Sequence, residues 1–299
     1  MKKQVNMNNI LKIGIIIGSI FAIISLGVIS VFDNTSSQNV LTVNTILENY
    51  FDQHIVNIPK DSIFNIYYTE RDFLKYTQQQ NFSGPKDGSK IEFKDKNSEL
   101  YKNLQPNKNT IVIYPIFTSA AYQSNGFYDF YNGNCDESCL NDISFENPQV
   151  LFTSSGILTQ VLYDIGYDFI TDIDVDKNPA ILKNYDTVIL LHNEYVTKKE
   201  FDAITTHPNL IFLVPNALYA EIEVNYDDNS ISLIRGHDYP PGIANGFDYE
   251  IEERFHSDEY DLKCIDWKFN EIENGYHLDC VPSAIIETNM DILIKLKEL

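Results

Sequence analysis

The stretch Thr187-Val-Ile-Leu-Leu191 is a nearly unbroken apolar run in which three of the five residues are β-branched. It lacks the polar alternation of a half-buried strand, so it predicts a strand buried on both faces, as in the centre of a parallel sheet. Thr110–Tyr114 and Leu210–Val214 have the same character, and Tyr167–Ile170 is a fourth predicted strand. These four runs predict the strands of a central sheet.

Helical patterns separate the predicted strands. Ser155–Ile165 has apolar residues at spacings of three and four, and Gly166 follows it, as glycine often follows a helix. Lys198–Thr206 predicts a short helix between the third and fourth strands. Strands that alternate with helices indicate an α/β fold with a doubly wound, mostly parallel sheet. Between the first strand and about Asn147 we predict a long loop.

Hairpin additions are predicted after the fourth strand. Asp227-Asp-Asn-Ser230 has the composition of a turn between two strands, Glu221–Val224 and Ile231–Ile234. The tail, including Trp267 and Tyr276–Leu278, is also predicted to be rich in β-structure.

The N-terminus contains twenty consecutive residues without a charge, 13–32. As a helix this run would span roughly 30 Å, the hydrocarbon thickness of a bilayer. Lys2, Lys3 and Lys12 precede it, so the positive-inside rule places residues 1–12 in the cytoplasm. A cleaved signal peptide would have a shorter apolar region that ends in small residues. We therefore expect a single-pass membrane protein whose main domain is extracellular.

Residues 33–108 join this predicted anchor to the α/β domain, which we place at 109–299. The first ten residues of the connection are polar and predict a linker. The rest is a mixed α/β lead-in, with a helix predicted at Thr45–His54 and a strand at Phe64–Tyr68. Gln78–Asn109 is rich in polar residues and predicts a loop.

Four cysteines fall as two local pairs, Cys135 with Cys139 and Cys264 with Cys280. Four cysteines allow three connectivities, and local pairing is the most economical of them. A zinc site is the alternative, although no histidines cluster with these cysteines. Two disulfides in an oxidising compartment agree with the predicted topology.

The formal net charge is −21, from 43 acidic and 22 basic residues. Affinity for nucleic acid comes mainly from neutralisation of phosphates by basic side chains, so this balance excludes nucleic acid as a partner. Solubility explains the acidity without any specific ligand.

Polar and phenolic side chains follow three predicted strands at their carboxyl ends, where ligands bind in open α/β sheets. They are Tyr122, His192, Glu194, Tyr195, Asn216 and Tyr219. Each also has a structural explanation: a tyrosine near a strand end is usually a partly buried ring whose hydroxyl is hydrogen-bonded. The functional interpretation requires these groups to converge in the fold.

Two chemistries can be compared at these strand ends. A nucleophilic hydrolase would place serine or cysteine on a tight turn after a strand, and the sequence has no G-x-S-x-G motif and no cysteine there. A hard metal ion held by phenol and carboxylate oxygens could polarise a carbonyl group, and tyrosine and glutamate supply those oxygens. Thr171–Asp176 lacks the glycine and glutamate positions of a calcium loop, so we interpret it as a strand that runs into a loop.

Three blocks of sequence, with a fourth before them, resemble a known family. The blocks are Gly166–Asp174, Asn184–Tyr195 and Asn209–Tyr219, preceded by Thr118-Ser-Ala-Ala-Tyr-Gln-Ser-Asn-Gly126. Together they resemble the C-terminal domain of the N,N-dimethylformamidase large subunit, over about residues 109–282. The resemblance implies a glutamine-amidotransferase-like, ThuA-like or flavodoxin-like α/β fold.

The resemblance also implies an activity, because enzymes of that family hydrolyse an amide with iron held by two tyrosines and a glutamate. Carried over by motif, Tyr195 and Tyr122 would be metal ligands, and Glu253 or Glu250 would supply the carboxylate. His192, Glu194 and Asn216 are then candidate catalytic residues. The family's G-H-D-E-Y-W motif reads Leu191-His-Asn-Glu-Tyr-Val196 here, so the motif's aspartate is replaced by asparagine and its tryptophan by valine.

Two functional hypotheses follow. The first is an extracytoplasmic binding or structural protein on a degenerate hydrolase-like fold, and the loss of those two motif residues favours it. The second is a metal-dependent amidohydrolase with iron as its cofactor, favoured by retention of Tyr122, His192, Glu194 and Tyr195. The sequence identifies neither a small-molecule ligand nor a protein partner.

Overall fold

The structure is a computed structural model that describes residues 55–58, 62–69, 89–146, 153–247, 258–286 and 288–299. The predicted cytoplasmic segment, the anchor at 13–32, the linker and the predicted helix at Thr45–His54 lie outside these residues. Within the described ranges, no helix combines the length and the apolar character needed to cross a bilayer.

The described strands form three sheets. In chain order the strands are β1 (Ile55–Ile58), β2 (Phe64–Thr69), β3 (Ser89–Phe93), β4 (Thr110–Tyr114), β5 (Ile143–Ser144), β6 (Asp168–Thr171), β7 (Thr187–Leu190), β8 (Tyr195–Thr197), β9 (Leu210–Phe212), β10 (Ala220–Asn225), β11 (Ser230–Arg235), β12 (Phe269–Ile272) and β13 (Gly275–Leu278). The described α-helices are α1 (Glu99–Leu104), α2 (Ile116–Ala121), α3 (Phe127–Tyr131), α4 (Thr153–Asp164), α5 (Asp172–Lys177), α6 (Lys198–Thr205) and α7 (Met290–Glu298).

The main sheet has six strands in the order β12-β13-β9-β7-β4-β6. The strands from β13 to β6 pair in parallel, and β12 adds an antiparallel edge to β13. All four strands predicted from apolar runs lie in this sheet, which confirms the mixed α/β class and its parallel core. β4 and β7 are buried along their whole length, as their composition predicts.

The other described strands form two smaller sheets. β1, β2 and β3 form an antiparallel sheet, and β5, β11, β10 and β8 form the other. In the second, β10 and β11 are the predicted hairpin, and β8 pairs in parallel with β10. β8 begins at Tyr195, so this sheet meets the carboxyl end of β7, where the candidate residues lie.

Each face of the main sheet has its own core. On one face, α4 and α7 pack their apolar side chains against Val112, Ile189 and Ile211. On the other, Val175 of α5 and Phe201 of α6 pack against neighbouring strand residues. Helices on both faces are the arrangement expected for a doubly wound sheet. Phe64, Ile91, Phe93 and Leu104 from the lead-in join the first core; the domain limits stay a prediction.

Three loop predictions were wrong. The predicted loop at Gln78–Asn109 contains β3 and α1, and the predicted loop after β4 contains α2 and α3. Thr171–Asp176 enters α5 rather than a loop. The reason is a capping box: the hydroxyl of Thr171 accepts a hydrogen bond from the Asp174 N–H at 3.2 Å, and the Asp174 carboxylate accepts one from the Thr171 N–H at 2.8 Å.

Both predicted disulfides are present. Cys135 is bonded to Cys139 directly after α3, and Cys264 is bonded to Cys280 across the β12–β13 hairpin. The local pairing is therefore confirmed, and the described cysteines form no zinc site.

Candidate functional site

The candidate residues lie beyond the carboxyl ends of β4 and β7. Pro115 follows β4 and is the N-cap of α2, and Tyr122 is the C-cap of the same helix. After β7, the backbone turns through His192, Asn193 and Glu194 before β8 begins. The turn is fixed by the Asn193 side chain, which accepts a hydrogen bond from the Leu191 N–H at 2.9 Å. This turn directs the Glu194 side chain into the interior.

Glu194 is the centre of the site and is fully buried. Its Oε2 accepts a hydrogen bond from the Tyr122 hydroxyl at 2.7 Å and lies 3.2 Å from His192 Nε2. Its Oε1 accepts one from the Tyr128 hydroxyl at 3.2 Å and is in contact with His237 Nε2. The phenol hydroxyls of Tyr122 and Tyr128 also touch each other. Both carboxylate oxygens are therefore surrounded by donors.

These contacts determine the charge of the cluster. Burial by itself would raise the pKa of the Glu194 carboxyl, but hydrogen bonds from His192 and His237 outweigh it and hold that pKa well below its usual range. For His237, burial acts to lower the pKa, while the contact with Glu194 raises it above the ordinary value. An ionised carboxylate with an imidazolium partner is the arrangement that a buried charge requires.

The surrounding phenols stay neutral. Burial, followed by the negative charge of Glu194, raises the pKa of the hydroxyls of Tyr122, Tyr128, Tyr131 and Tyr195 far above the ordinary value. A neutral phenol can donate a hydrogen bond, as the Tyr122 hydroxyl does to Glu194.

Two phenol hydroxyls in the cluster lack partners. Those of Tyr195 and Tyr131 are buried, and neither makes a hydrogen bond of good geometry within the described part of the chain, although the Tyr195 hydroxyl lies close enough to that of Tyr128 to lower the Tyr128 pKa. A buried hydroxyl without a partner is costly by about 1–3 kcal/mol and calls for an explanation such as a bound ligand. The Tyr195 ring packs edge-on against Phe127 at 5.1 Å and lies 6.4 Å from the Tyr122 ring.

The outer part of the site is aromatic and acidic. The imidazole of His237 lies 4.9 Å from the ring of Tyr219 and 5.1 Å from that of Tyr131. Glu259 is close enough to add negative potential at both His237 and Tyr219. The described rim therefore suits a neutral or cationic ligand better than an anion.

Of the six residues predicted as catalytic groups or metal ligands, the structure brings together four, Tyr122, His192, Glu194 and Tyr195. The side chain of Asn216 is half-buried and, among the described residues, makes no hydrogen bond, so its predicted catalytic role stays a prediction. Glu253 and Glu250 lie in 248–257, outside the described residues. Their assignment as metal ligands also stays a prediction.

Sequence reasoning missed three members of the cluster, Tyr128, Tyr131 and His237. The two tyrosines lie on α3, inside the segment predicted as a loop, and His237 follows β11 of the hairpin. Gly236-His-Asp238 lies at the end of a predicted strand, which was the available signal for His237. A single histidine, however, belongs to no spaced motif that would identify it as a site residue.

A second group of buried carboxylates lies near the N-termini of α5 and α6. Asp176 accepts hydrogen bonds from the hydroxyls of Thr197 at 2.6 Å and Tyr226 at 2.7 Å. Burial raises the pKa of Asp172 and Glu200 well above the usual range, which favours their neutral form. Across the residues that the structure describes, no three His, Cys, Asp or Glu side chains form a metal site.

A metal at the Glu194 cluster would therefore have to be held by phenol oxygens. Phenol and carboxylate oxygens are donors that hard cations accept. The unpartnered hydroxyl of Tyr195, near the oxygen atoms of Tyr122 and Glu194, is an observed feature that fits such an ion.

Comparison with known families adds one match. A family model described as N,N-dimethylformamidase beta subunit-like, C-terminal, matches residues 94–246, just over half of the chain. The matched segment contains β4 to β11 and every member of the Glu194 cluster. No curated protein matches the sequence.

Proposed function

This chain belongs to the N,N-dimethylformamidase beta subunit-like, C-terminal family, and from that premise we propose that its Glu194 cluster hydrolyses a small amide with a hard metal ion. The observation that carries the proposal is the buried, unpartnered hydroxyl of Tyr195 beside Tyr122 and an ionised Glu194. Iron is the metal that the family resemblance implies.

Tyr122 and Tyr195 would hold the metal through their phenol oxygens, and Glu253 is the predicted third ligand. When bound, such an ion polarises an amide carbonyl and lowers the pKa of a bound water. The chain's own residues bind and orient: His192 and His237 hold Glu194, which in turn accepts a hydrogen bond from the Tyr122 hydroxyl. The aromatic rim of Tyr131 and Tyr219 would cover the substrate's alkyl groups.

A binding protein without catalysis is the second candidate, and one observation favours it. Both oxygens of Glu194 already accept hydrogen bonds, from Tyr122 and His192 on one side and from Tyr128 and His237 on the other. A carboxylate occupied in this way stabilises a rigid polar network, whereas a general base needs a free lone pair. Such a protein would hold a small ligand at the aromatic rim.

The first test is the metal content of the full-length chain, purified in detergent without chelator and measured by elemental mass spectrometry. We expect near-stoichiometric iron in the wild type and its loss in Tyr195→Phe, which keeps the ring and removes the oxygen. Tyr167→Phe is the control, because Tyr167 is also buried but packs in the core formed by α4 and α7. The metal-loaded protein should then release dimethylamine from N,N-dimethylformamide, the amide that the family name indicates.

An iron-free wild type, even after reconstitution with ferrous or ferric iron, would contradict the hydrolase and leave the binding protein. Iron that persists in Tyr195→Phe would show that the phenol of Tyr195 does not hold it.

We further propose that residues 13–32 anchor the protein in a bilayer, with the described domain outside. The uncharged run, the lysines before it and the two disulfides support this topology. We expect the full chain to stay in the membrane fraction through alkaline carbonate extraction and to be digested by external protease in intact cells. Recovery of the chain in the cytosolic fraction would contradict the proposal.

A further inference from the structure

The loop from Gly236 to Gly246, called here the His237 loop, has an uncommon backbone. Gly236, His237 and Asp238 have φ angles of 115°, 57° and 62°, three left-handed residues in succession. Two of the three are not glycine, and residues with a side chain are strained in this region and cluster at functional sites. A conformation of this kind persists only where the surrounding structure enforces it.

Backbone hydrogen bonds enforce it here. The N–H of His237 donates to the Ala244 carbonyl at 3.0 Å, and the N–H of Asp238 donates to the Ile243 carbonyl at 3.0 Å. At the end of the loop, the Gly246 N–H donates to the Tyr219 carbonyl at 2.8 Å. A Cβ on Gly246 would lie 2.5 Å from the backbone nitrogen of Glu221, so the loop can lie this close to β10 only with glycine there.

The loop places His237 in a defined orientation. Its Nε2 contacts Glu194 Oε1 and lies 3.3 Å from the Tyr128 hydroxyl, while its ring stacks on Tyr195 with centroids 5.9 Å apart and planes 10° apart. Its Nδ1 makes no hydrogen bond in the described part of the chain and is not among the buried unpartnered atoms there. The side chain is 26% exposed, so Nδ1 is the nitrogen that an arriving molecule can reach.

We propose that His237 is a positioning residue of this site, which fixes the Glu194 carboxylate through Nε2 and offers Nδ1 as a hydrogen-bonding partner to the polar group of a bound amide. A buried carboxylate that binds one ring nitrogen sets the orientation of the ring and keeps a proton on that nitrogen. The contact with the amide rests on the proposed function, whereas the contact between His237 and Glu194 is independent of it.

The test begins with the full-length wild-type protein labelled with ¹⁵N-histidine. We expect one strongly deshielded imidazole N–H proton, assigned to His237 Nε2, which disappears in both Glu194→Gln and His237→Gln. His207→Gln should retain it, because His207 is also buried but contacts the carbonyls of Asn209 and Tyr185. The absence of this signal from the wild type, or its survival in Glu194→Gln, would overturn the proposal.

The same sample then tests the role of Nδ1. Addition of N,N-dimethylformamide should shift the His237 Nδ1 resonance and leave that of His207 unchanged. In the metal-loaded protein, His237→Gln should lower kcat by about 10- to 100-fold, because Glu194 is no longer fixed, and should also raise KM, because the contact of Nδ1 with the amide is lost. An unchanged kcat in His237→Gln, or an unmoved Nδ1 resonance in a protein that hydrolyses the amide, would contradict the positioning role.

If the deshielded proton is present but the wild type hydrolyses no amide, the contact between His237 and Glu194 stands and the hydrolase is wrong. If the wild type hydrolyses the amide but shows no such proton, the hydrolase stands and the proposed contact between His237 and Glu194 is wrong. The two failures are therefore distinguishable.

Discussion

Glu194→Gln should lower the free energy of unfolding by about 3–5 kcal/mol, the effect of removing one partner from a buried ion pair. The change keeps the size of the side chain and removes its charge. A carboxylate accepts hydrogen bonds at both oxygens, here from Tyr122, Tyr128 and His237. The glutamine amide would turn an N–H₂ group toward donors on one side, and His237 would lose its counter-charge.

Urea unfolding of both proteins at the same pH, followed by near-ultraviolet circular dichroism, measures this difference. Glu223→Gln is the matched control, because Glu223 lies exposed on the neighbouring strand β10. Surface changes of this kind usually stay within about 0.5 kcal/mol. A Glu194→Gln protein as stable as this control would mean that the cluster does not hold an ionised carboxylate.

The main sheet could be predicted because its strands are buried on both faces. A strand such as β7 has no polar side to interrupt its apolar run, so its sequence identifies it without any partner. The same reasoning fails for α2, Ile116–Ala121, whose six residues are all buried. A helix without a solvent-facing side has no amphipathic period, and six residues are too few to distinguish it from a loop.

The site was predictable only where it follows strand ends. Tyr122, His192, Glu194 and Tyr195 come after β4 and β7, and parallel strands bring their carboxyl ends to one edge. His237 reaches the same point from a separate sheet, through a loop whose left-handed backbone is held by hydrogen bonds within the loop and by one from Gly246 to Tyr219. No spacing of residues in the sequence predicts those contacts, so His237 could be identified as a partner of Glu194 only from the structure.

Gly275→Ala should destabilise the fold by on the order of 3–5 kcal/mol, from overpacking and an unfavourable φ together. Gly275 starts β13, which pairs in parallel with β9 opposite Leu210. A Cβ at this position would lie 1.9 Å from the carbonyl oxygen of Leu210, and the φ of 158° is one that side-chain-bearing residues rarely adopt. The two strands would have to separate, which disrupts the sheet between β13 and β9.

Gly133→Ala separates these two effects. Gly133 has a φ of 72°, but a Cβ there would meet nothing within 4 Å, so only the backbone preference opposes alanine. We expect this control to lose roughly 1–2 kcal/mol in the same urea experiment. Equal losses in both variants would contradict the clash with Leu210.

The β12–β13 hairpin contributes no residue to the Glu194 cluster. The folded fraction of Gly275→Ala should therefore keep the metal content of the wild type. Tyr195→Phe should instead lose its metal while the fold remains.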